Sequence, residues 1–563
     1  MATVTFISSF FFIYNSDYDE KKSVQWRLDR FREIAQTGIR LCLYVCPVFK
    51  DRVEEVAKDF ENVRVMRVMS IDELYVITAT ELELPSNRNG DKDTSEYMAV
   101  INSKTEFMAD TIAHNPWNTE YFAWIDFNIS HVFRDKPSSL EYLRQLGNRK
   151  FYGQFFAIPG CWDKFDRSYI THVTESIHWR FCGGFFIGDK ESILQFDKLY
   201  KRHYHDFVDT HGKLVWEVNF WAWLESNTEW SPEWYLADHS DSIITHLSAS
   251  YFALNLKALG SHETQYDYPH ILMYHPGSAS YLNFKGKHLL NTRYVNYWYY
   301  ESGSYMFYDS LNTIRTINSF SELTDDGEIF PLSYANMSEA DIGLQRYAHY
   351  ARGLEDIRLY EHEGRVKFIA TAVEYYHTGG NRMVTGNYDY QTLSYSDVRI
   401  IEPPTETQFE KNWIPLSPHD PRELFIYKWA PLEIGAVTSN NNNKLEIVMS
   451  FNETVNLPFF KKMKGSSPFV PNVDENELIG VVHFSEDAKP RRYYHMMLVL
   501  DRRTFRPIRY SEPFVFEKPS IEFCIGFTRD ADMYLFWISR FDRDPLLVTV
   551  DSSVISYTCL IGL

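Results

Sequence analysis

The spacing of apolar residues changes near residue 255, and this change limits the chain to two kinds of domain. Before it, short apolar runs such as residues 41–45 and 63–69 alternate with helical segments such as residues 26–37. After it, short runs rich in Tyr, Val, Ile and Phe recur about every ten residues between turn residues. Alternating strands and helices predict a largely parallel, doubly wound sheet, whereas repeated short strands predict an all-β domain.

The length of the chain agrees with two domains, since 563 residues exceed what one hydrophobic core usually supports. We predict an α/β domain at residues 1–255, a linker at residues 256–280 and an all-β domain at residues 281–563. The second half is long enough to favour a β-propeller over a β-sandwich. No run of about eighteen apolar residues occurs in the sequence, so a membrane-spanning helix is not expected.

Aromatic content and charge favour carbohydrate ligands. Phe, Tyr and Trp make up 17% of the residues, and aromatic rings stack well on the C–H faces of sugars. A formal charge of -19 gives no overall basic surface for nucleic acid or for phosphate-rich membranes, so nucleic-acid partners are not expected. An aromatic-rich surface is also compatible with a homodimer.

Cysteine usage and the N-terminus indicate an intracellular protein. The six cysteines show neither a CxxC pair nor a framework spacing, which is typical of reduced thiols. The apolar N-terminal segment lacks a basic leader and a small-residue cleavage site, so we interpret it as a buried strand and not as a signal peptide. We therefore expect a cytoplasmic location, with access to the nucleotide sugars made there.

An acidic motif follows the apolar run of residues 121–125 in the first half. Ligands of open α/β sheets gather at the carboxyl ends of strands, which is where Asp126 is predicted to lie. Metal-dependent nucleotide-sugar transferases hold a divalent cation with one carboxylate and, usually, a second polar ligand two residues later, here Asn128. The pair therefore indicates a Mn or Mg site for a donor diphosphate. The same residues also fit an ordinary Asx turn after a strand.

Several segments of this half, taken together, resemble the YibB/HtrL-like glycosyltransferases. The resemblance covers about residues 3–250 and rests on Lys104, residues 115–117, residues 124–128, His131, residues 181–186 and residues 217–221. It implies a GT-A fold, which is Rossmann-like. Asn128 stands where the strongest DxD transferases carry a second Asp.

The resemblance assigns roles to four residues around this motif. Asp126 and Asn128 would serve the metal and the donor phosphates, and His239 would close the metal shell. Glu217 would act as the catalytic base or would orient the acceptor. A solvated helix position for Glu217 and a loop cap for His239 are the structural alternatives.

A lysine and two glycines complete the site that the resemblance implies. Lys104 would bind substrate, while Gly183 and Gly184 would let the backbone approach the acceptor. A simple turn is the alternative interpretation of the glycine pair.

In the second half, residues 353–358 bring two carboxylates and a guanidinium together shortly before an apolar strand. The charged members are Glu355, Asp356 and Arg358. Such a set suits sugar chemistry, because a buried acid moves a proton at an oxygen while a fixed cation orients its neighbour. A surface ion-pair patch at the entrance of a strand is the alternative.

An ordered series of motifs in this half resembles the five-bladed β-propeller β-mannoside phosphorylases and the β-mannosyltransferases related to them. The series spans about residues 285–550 and comprises residues 291–297, 355–358, 411–413, 427–431, 465–469, 482–484, 493–501, 510–514, 521–523 and 541–544. The resemblance implies a five-bladed propeller in which Asp356 is the acid/base and Arg358 supports it. This chain departs from the family at Ile357, where Pro is usual, and at Lys428, where Arg is frequent.

The same resemblance implies a pocket for phosphate and sugar. Its implied phosphate ligands are Arg293, Lys428, His483 and Tyr494. Its implied ligands for sugar hydroxyls are Glu522 and Asp542. Core-facing positions for His483 and Tyr494, with ordinary ion pairs for the cations, are the alternative.

The two halves together predict a bifunctional glycosyltransferase. A metal-dependent site would use a nucleotide-sugar donor and a glycan acceptor, and a metal-independent propeller site would form a mannoside-like linkage. One alternative is phosphorolysis or hydrolysis in the propeller, although a hydrolase needs a second carboxylate to activate water. Another alternative is a glycan-binding protein without catalysis.

Overall fold

The computed structural model describes residues 3–11, 13, 23–78, 82–308, 312–325, 334–416, 422–437 and 443–560. The chain divides into two compact units, Met1–Phe252 and Ala253–Leu563. Part of the predicted linker forms strands of the second unit, because His262–Thr264 and the start of His275–Phe284 lie within it.

The first unit contains one sheet and the α-helices that accompany it. Its strands are β1 Val4–Phe10, β2 Arg40–Val45, β3 Val63–Val68, β4 Tyr121–Ile125, β5 Phe156–Gly160, β6 Phe185–Asp189 and β7 Glu233–Leu236. Its helices are α1 Val24–Ala35, α2 Lys50–Ala57, α3 Ser95–Asn102, α4 Lys104–His114, α5 Lys136–Asn148, α6 Ile170–Glu175, α7 Lys190–His211, α8 Glu217–Asn227 and α9 Ser242–Thr245.

The sheet of the first unit has the strand order β3-β2-β1-β4-β6-β5-β7. Strand β1 pairs in parallel with β2 and β4, and β5 pairs in parallel with β7. The central strands are almost entirely buried, as expected for strands covered on both faces. The carboxyl ends of β1 and β4 therefore meet at one edge of the sheet, where the candidate site lies.

The predicted fold class of this half is wrong. We predicted a Rossmann-like GT-A domain with a largely parallel sheet, but β6 runs antiparallel to both β4 and β5. The alternation of strands and helices does not encode this direction, because a long connection such as residues 161–184 can bring the chain back either way. The sheet is mixed, and the predicted GT-A fold is not shown.

The second unit is built almost entirely from strands. In chain order they are β8 Leu254–Asn255, β9 His262–Thr264, β10 His275–Phe284, β11 Lys287–Val295, β12 Tyr297–Tyr299, β13 Tyr305–Phe307, β14 Ile314–Leu323, β15 Ala335–Asn336, β16 Ala351–Arg352, β17 Glu355–His362, β18 Arg365–Ala372, β19 Arg382–Asp389, β20 Ser394–Ile401, β21 Ile414–Leu416, β22 Glu423–Trp429, β23 Leu432–Val437, β24 Leu445–Phe451, β25 Lys464–Gly465, β26 Val470–Pro471, β27 Glu477–Glu486, β28 Arg492–Asp501, β29 Pro507–Ser511, β30 Phe514–Val515, β31 Glu522–Asp530, β32 Met533–Arg540, β33 Arg543–Asp551 and β34 Tyr557–Cys559.

Four blades of a β-propeller are present among the described residues of this unit. Their strand orders are β10-β11-β14-β15, β17-β18-β19-β20, β21-β22-β23-β24 and β31-β32-β33-β9. The last blade is completed by β9, which comes from the start of the unit and pairs antiparallel with β33. Strand β16 also pairs with β14, and β12 pairs with β13 as a separate hairpin.

The prediction of a five-bladed propeller is also wrong. Beside the four blades lies one larger sheet of eight strands, which contains the parallel pair of β8 and β30. Several of its members, including β8, β25, β26 and β30, are only two residues long. Strands this short leave no apolar periodicity, so the spacing of apolar runs does not reveal how the strands group into sheets.

The core of the second unit lies between neighbouring sheets. One cluster joins Leu289 and Phe320 of the first blade to Leu359, Phe368 and Val384 of the second. All five side chains are buried, because consecutive strand residues point to opposite faces and the apolar face of each blade meets the next blade. Within the described part of the chain, no helix is long and apolar enough to cross a lipid bilayer.

Candidate active sites

A cavity of about 400 Å³ opens beside the ends of β1 and β4 in the first unit. Its wall combines residues that follow β4, the loop before β6 and the first turn of α8. Its polar and aromatic side chains include Arg27, Lys104, Trp124, Asp126, Asn128, Trp179, Glu217 and His239. Gly183 and Gly184 also line it, so every residue predicted for this half meets in one cavity.

Lys104, the first residue of α4, is the centre of a buried ion cluster. Its Nζ donates to Glu217 Oε1 and to the Gly183 carbonyl, each at 2.7 Å, and lies 3.4 Å from Asp126 Oδ1. The side chains of Lys104 and Glu217 are 4% and 7% exposed, whereas that of Asp126 is 42% exposed. One cation therefore joins a buried carboxylate to a carboxylate that reaches the cavity.

The protonation of this cluster follows from its burial. Burial lowers the pKa of Lys104, but the carboxylates of Asp126 and Glu217 outweigh it, so the pKa lies above its usual value. Burial raises the pKa of Glu217, and the Lys104 ammonium opposes this rise without cancelling it. The ammonium therefore stays charged, and Glu217 is poised to take up a proton beside it.

Gly183 and Gly184 make room for the charged side chains of the cluster. A Cβ at Gly183 would lie 2.1 Å from Glu217 Oε1 and 3.0 Å from Lys104 Nζ. A Cβ at Gly184 would lie 2.9 Å from Ile129 Cδ1 and 3.4 Å from Asp126 Oδ2. The glycines therefore allow the carboxylates to approach the backbone, a role that the sequence analysis did not assign to them.

Asp126 and Asn128 offer oxygen ligands on the cavity wall. Asp126 Oδ1 accepts a hydrogen bond from Trp124 Nε1 at 2.8 Å, which fixes the orientation of the carboxylate. Asn128 directly precedes the 3₁₀ turn Ile129–Val132, so the chain bends and both side chains face the same cavity. A carboxylate and a carboxamide are ligands that Mg and Mn accept, so these residues fit the predicted ion.

His239, the third predicted ligand, lies in the same cavity wall with its ring beside sulfur atoms. Its Nδ1 is 3.7 Å from Cys182 Sγ, and Cys182 Sγ is 3.4 Å from Cys161 Sγ. The Trp179 and imidazole rings make an edge-to-face contact, with ring centroids 4.0 Å apart. The His239 ring is therefore held next to two thiols.

In the second unit, Arg293 on β11 lies close to two carboxylates of β17, those of Glu355 and Asp356. Its Nη1 lies 2.8 Å from Asp356 Oδ1, and its Nη2 lies 3.8 Å from Glu355 Oε2. The register between β17 and β18 shifts at this point, and Asp356 has a φ of 54°. Neighbouring strand residues normally face opposite sides, so this bulge is what brings both carboxylates to one guanidinium.

Arg358 fixes the backbone next to Glu355 and Asp356 through hydrogen bonds. It is fully buried and donates to the carbonyls of Ser466 at 2.6 Å, Gly465 at 3.3 Å and Asp356 at 3.1 Å, and to Asn412 Oδ1 at 2.9 Å. Burial lowers the pKa of the guanidinium to about 10. Arg358 therefore ties the Asp356 turn to the neighbouring loop, which agrees with a supporting role.

The environments of Asp356 and Asp542 drive their pKa values apart. Burial raises the pKa of Asp356, but Arg293 together with Arg358 and Lys411 reverses this, so the pKa is held below its usual value. Burial also raises the pKa of Asp542, and neither Arg293 nor the hydrogen bond from Tyr297 cancels the rise. The two carboxyl groups therefore differ in acidity, and Asp542 holds its proton more tightly than Asp356 does.

Two residues predicted for the phosphate pocket contact other parts of the second unit. The side chain of Lys428 is 51% exposed and lies 3.6 Å from Glu433. Tyr494 is fully buried, and its ring stacks on Phe484 with centroids 5.3 Å apart. The contact of Lys428 is a surface ion pair, and the contact of Tyr494 is packing in the hydrophobic core.

His483 is linked to the Asp356 group through a serine. Its Nδ1 is 2.8 Å from Ser466 Oγ, and the Ser466 carbonyl accepts from Arg358 Nε at 2.6 Å. Burial holds the pKa of His483 well below its usual value, with further lowering by His495. A neutral ring can contact phosphate only as a hydrogen-bond donor and not as a cation.

Glu522 binds the backbone of its own unit. Its carboxylate oxygens accept hydrogen bonds from the amides of Phe516, Glu517 and Lys518 at 2.8, 2.9 and 3.1 Å. The side chain is fully buried, and burial raises its pKa to about 7. Glu522 thereby closes the turn that precedes β31.

Sequence reasoning missed two tyrosines of the second site. Tyr297 donates from its hydroxyl to Asp542 Oδ2 at 2.8 Å. The Tyr493 ring stacks on His483 with centroids 5.7 Å apart, and burial together with the Asp542 carboxylate raises the pKa of Tyr493. Consecutive residues of a strand face opposite sides, so one of Tyr493 and Tyr494 had to face the core. The sequence marks the pair but does not say which ring faces which way.

A family model matches part of the first unit. Residues 53–211 match the model described as a bacterial protein of unknown function (HtrL_YibB). The predicted resemblance to YibB/HtrL-like proteins is confirmed for this region, and the description of the family names no activity. No curated protein matches the chain.

Several solved carbohydrate-active enzymes resemble about half of this chain. A β-1,2-mannobiose phosphorylase from Listeria innocua has a TM-score of 0.36 at 10% identity and covers 52% of this chain and 98% of its own. A GDP-Man-dependent mannosyltransferase from Leishmania mexicana has a TM-score of 0.34 at 12% identity, with 52% and 89% covered. A β-xylosidase/α-arabinofuranosidase from a compost metagenome has a TM-score of 0.34 at 9% identity, with 53% and 98% covered.

Proposed function

We propose that this chain is a glycosyltransferase whose first unit takes a sugar from a nucleotide-sugar donor. The observation that carries the proposal is the Lys104 ammonium, buried between Glu217 and Asp126 at a cavity of about 400 Å³. A cation fixed in a partly dry site stabilises the charge of a leaving diphosphate without reorganisation during the reaction. The volume suits a small-molecule ligand.

Asp126 and Asn128 would hold a Mn or Mg ion in this cavity. The ion, when bound, supplies Lewis-acid stabilisation of the departing diphosphate. Trp124 and Lys104 both lie at Oδ1 of Asp126, which fixes this carboxylate and leaves Oδ2 as its ligand atom.

Glu217 would act on the acceptor hydroxyl. Its carboxylate lies in the first turn of α8, where the helix N-terminus favours negative charge, and it contacts Lys104 at 2.7 Å. Burial raises its pKa, so it takes up the proton of an attacking hydroxyl more readily than an exposed glutamate does. The proton then stays on Glu217 beside the ammonium.

A second transfer site in the second unit would work without a metal and form a mannoside-like linkage. The specific observation is the pair of carboxyl groups around Arg293, where the pKa of Asp356 is held below its usual value and the pKa of Asp542 is raised above it. An ionised Asp356 suits synthesis, in which an acceptor hydroxyl loses its proton, better than phosphorolysis, which needs a proton donor. The mannoside-like linkage follows the resemblance of residues 285–550 to the β-mannoside phosphorylases and β-mannosyltransferases.

Separate variants of the two sites test this proposal. Nucleotide sugars, with GDP-mannose among them, are incubated with the wild type and with Asp126→Asn, Glu217→Gln and Asp356→Asn variants, with and without Mn. The matched control is Asp532→Asn in the second unit, because the Asp532 side chain is 92% exposed. We expect metal-dependent turnover to be lost in the first two variants and metal-independent turnover to be lost in the third.

Other outcomes assign other functions. Release of a sugar 1-phosphate from a mannoside, dependent on phosphate and on Asp356, would identify the second site as a phosphorylase. No turnover of any donor, with glycan binding retained in all variants, would replace the proposal with a glycan-binding protein.

A further inference from the structure

Three side chains with soft or borderline ligand atoms meet at one edge of the first-unit sheet. They are Cys161, Cys182 and His239, and their ligand atoms all lie within 4.8 Å of one another. The Sγ atoms of Cys161 and Cys182 are 3.4 Å apart, and Cys182 Sγ is 3.7 Å from His239 Nδ1. Neither cysteine has a role in the proposed transfer reaction.

Each residue of the trio is held by a neighbouring strand of the sheet. Cys161 follows the end of β5, Cys182 precedes β6, and His239 follows β7. The Cys182 amide donates to the Pro159 carbonyl at 2.8 Å, and the Ala237 amide donates to the Gly160 carbonyl at 2.8 Å. Backbone hydrogen bonds thus fix the loops, so the three ligand atoms are brought together without any ion.

The spacing of these atoms matches a tetrahedral metal site. With Zn–S bonds of about 2.3 Å, two thiolates on one zinc lie about 3.8 Å apart, while a disulfide needs about 2.05 Å. The observed 3.4 Å between Cys161 and Cys182 lies much nearer the first value. We propose that Cys161, Cys182 and His239 form a zinc site with three protein ligands.

The ligand chemistry selects zinc over the Mn or Mg proposed for Asp126 and Asn128. Thiolate and imidazole prefer softer ions, whereas Mg and Mn prefer oxygen. On binding, each thiol releases its proton to solvent, so two thiolates balance the charge of Zn²⁺ and no net charge is buried. The His239 ring makes an edge-to-face contact with Trp179, and its Nδ1 lies 3.7 Å from Cys182 Sγ.

Three ligands leave a fourth tetrahedral position for water or another small ligand. Cys182 and His239 both line the cavity of the first unit, so an ion bound to them lies at its wall. His239 is exposed and Cys161 is half buried, which gives the ion a path from solvent.

Cobalt substitution tests the site directly in the full chain. The reduced, metal-free protein is titrated with Co²⁺, whose tetrahedral thiolate complexes absorb in the visible and near-ultraviolet, and the bound ion is then displaced with Zn²⁺. The variants are Cys161→Ser and His239→Ala, and the matched control is Cys559→Ser, an exposed cysteine of the second unit. We expect about one equivalent of Co²⁺ per chain in wild type and control, with loss of the thiolate bands in both variants.

Three results would overturn the proposal. The first is the absence of thiolate-to-cobalt bands at saturating Co²⁺. The second is bands that persist in His239→Ala. The third is a Cys161–Cys182 disulfide in peptide maps of the isolated protein, together with no metal uptake after reduction. Circular dichroism of each variant separates loss of metal from loss of structure.

Discussion

A buried guanidinium whose hydrogen bonds go to carbonyl and amide oxygens is the most demanding single residue of the second site. Arg358 donates to three backbone carbonyls and to the Asn412 side chain. Each hydrogen bond from a charged group is worth about 1.5–3 kcal/mol, and a buried charge that loses its partners costs more. The planar fork of arginine is what reaches these acceptors at once.

Replacing Arg358 with Lys should therefore destabilise the second unit. The ammonium is a point charge that cannot reach all four acceptors, so we expect the free energy of unfolding to fall by about 2–4 kcal/mol. Urea denaturation measures this change, and Arg365→Lys on the exposed part of the same blade is the matched control. Equal stability of both variants would show that the hydrogen bonds of Arg358 do not matter to the fold.

Glu522 gives the second unit a pH-dependent stability. Its pKa rises from an ordinary 4.5 to about 7 in the folded state, chiefly because it is buried. A raised pKa means that the folded state holds the proton more tightly, so this contribution is complete below about pH 4.5. This contribution to the free energy of unfolding amounts to about 3 kcal/mol, and it is lost as the pH rises through about 7.

The Glu522→Gln variant should flatten this dependence. An amide does not titrate, so the free energy of unfolding should change less between pH 4.5 and pH 7 than it does in the wild type. Denaturation at a series of pH values measures the slope, with exposed Glu475→Gln as control. A slope that is the same in all three proteins would rule out Glu522 as its source.

At the residue scale, the structure brings together the residues that the sequence suggests for the first site, and their roles stay predictions. Lys104, Asp126 and Glu217 meet as their motifs suggested, because strand ends and helix starts converge at one sheet edge. The partners of His239 were not predictable, since Cys161 and Cys182 show no metal-ligand spacing in the sequence. Contacts between loops of different strands leave no local pattern.

At the scale of elements, the loop before β6 controls the first site. A methyl group at Gly183 would collide with Glu217 Oε1, so either the loop or the carboxylate must move. We expect Gly183→Ala to lower the turnover of the first unit by about 100-fold, because a displacement near 1 Å in a catalytic cluster costs that much. Its stability should fall by about 1–3 kcal/mol.

The matched control for this loop is Gly90→Ala. A Cβ at Gly90 meets nothing within 4 Å, so the same change in composition creates no collision there. Turnover of a nucleotide sugar and thermal unfolding are measured for both variants. Full activity of Gly183→Ala would mean that the close approach of Glu217 is not needed for the reaction.

The elements also show what the pattern of apolar residues cannot encode. Long strands such as β27 and β28 follow from their apolar runs. Apolar runs do not predict the antiparallel direction of β6. They also do not predict the assignment of two-residue strands to the eight-stranded sheet, because both features depend on the path of connecting loops. The predicted fold class is therefore wrong where the connecting loops, and not the strands, determine the topology.

At the scale of the whole molecule, the second unit includes residues 256–280, which the sequence analysis assigned to a linker. The second unit begins at Ala253, whereas the sequence placed the start of its domain at residue 281. A fragment of residues 281–563 lacks β8, β9 and most of β10, and so loses strand pairing in two blades and in the eight-stranded sheet. Unpaired strand edges and lost core contacts destabilise such a unit.

We therefore expect residues 253–563 to unfold cooperatively and residues 281–563 not to do so. Circular dichroism during heating, with size-exclusion chromatography of both fragments, measures the difference. Cooperative unfolding of the shorter fragment would show that the pairs of β8 and β9 add nothing essential. Failure of both fragments would show that the second unit depends on the first.

The pairing of β9 with β33 also bears on assembly. The segment with β8 and β9 forms its hydrogen bonds with β30 and β33, which lie at the far end of the unit in sequence. Two chains that exchange this segment would make the same pairs with each other, so a swapped dimer needs no new contact surface. Refolding at high protein concentration should then trap such dimers, and they should separate only when the second unit unfolds.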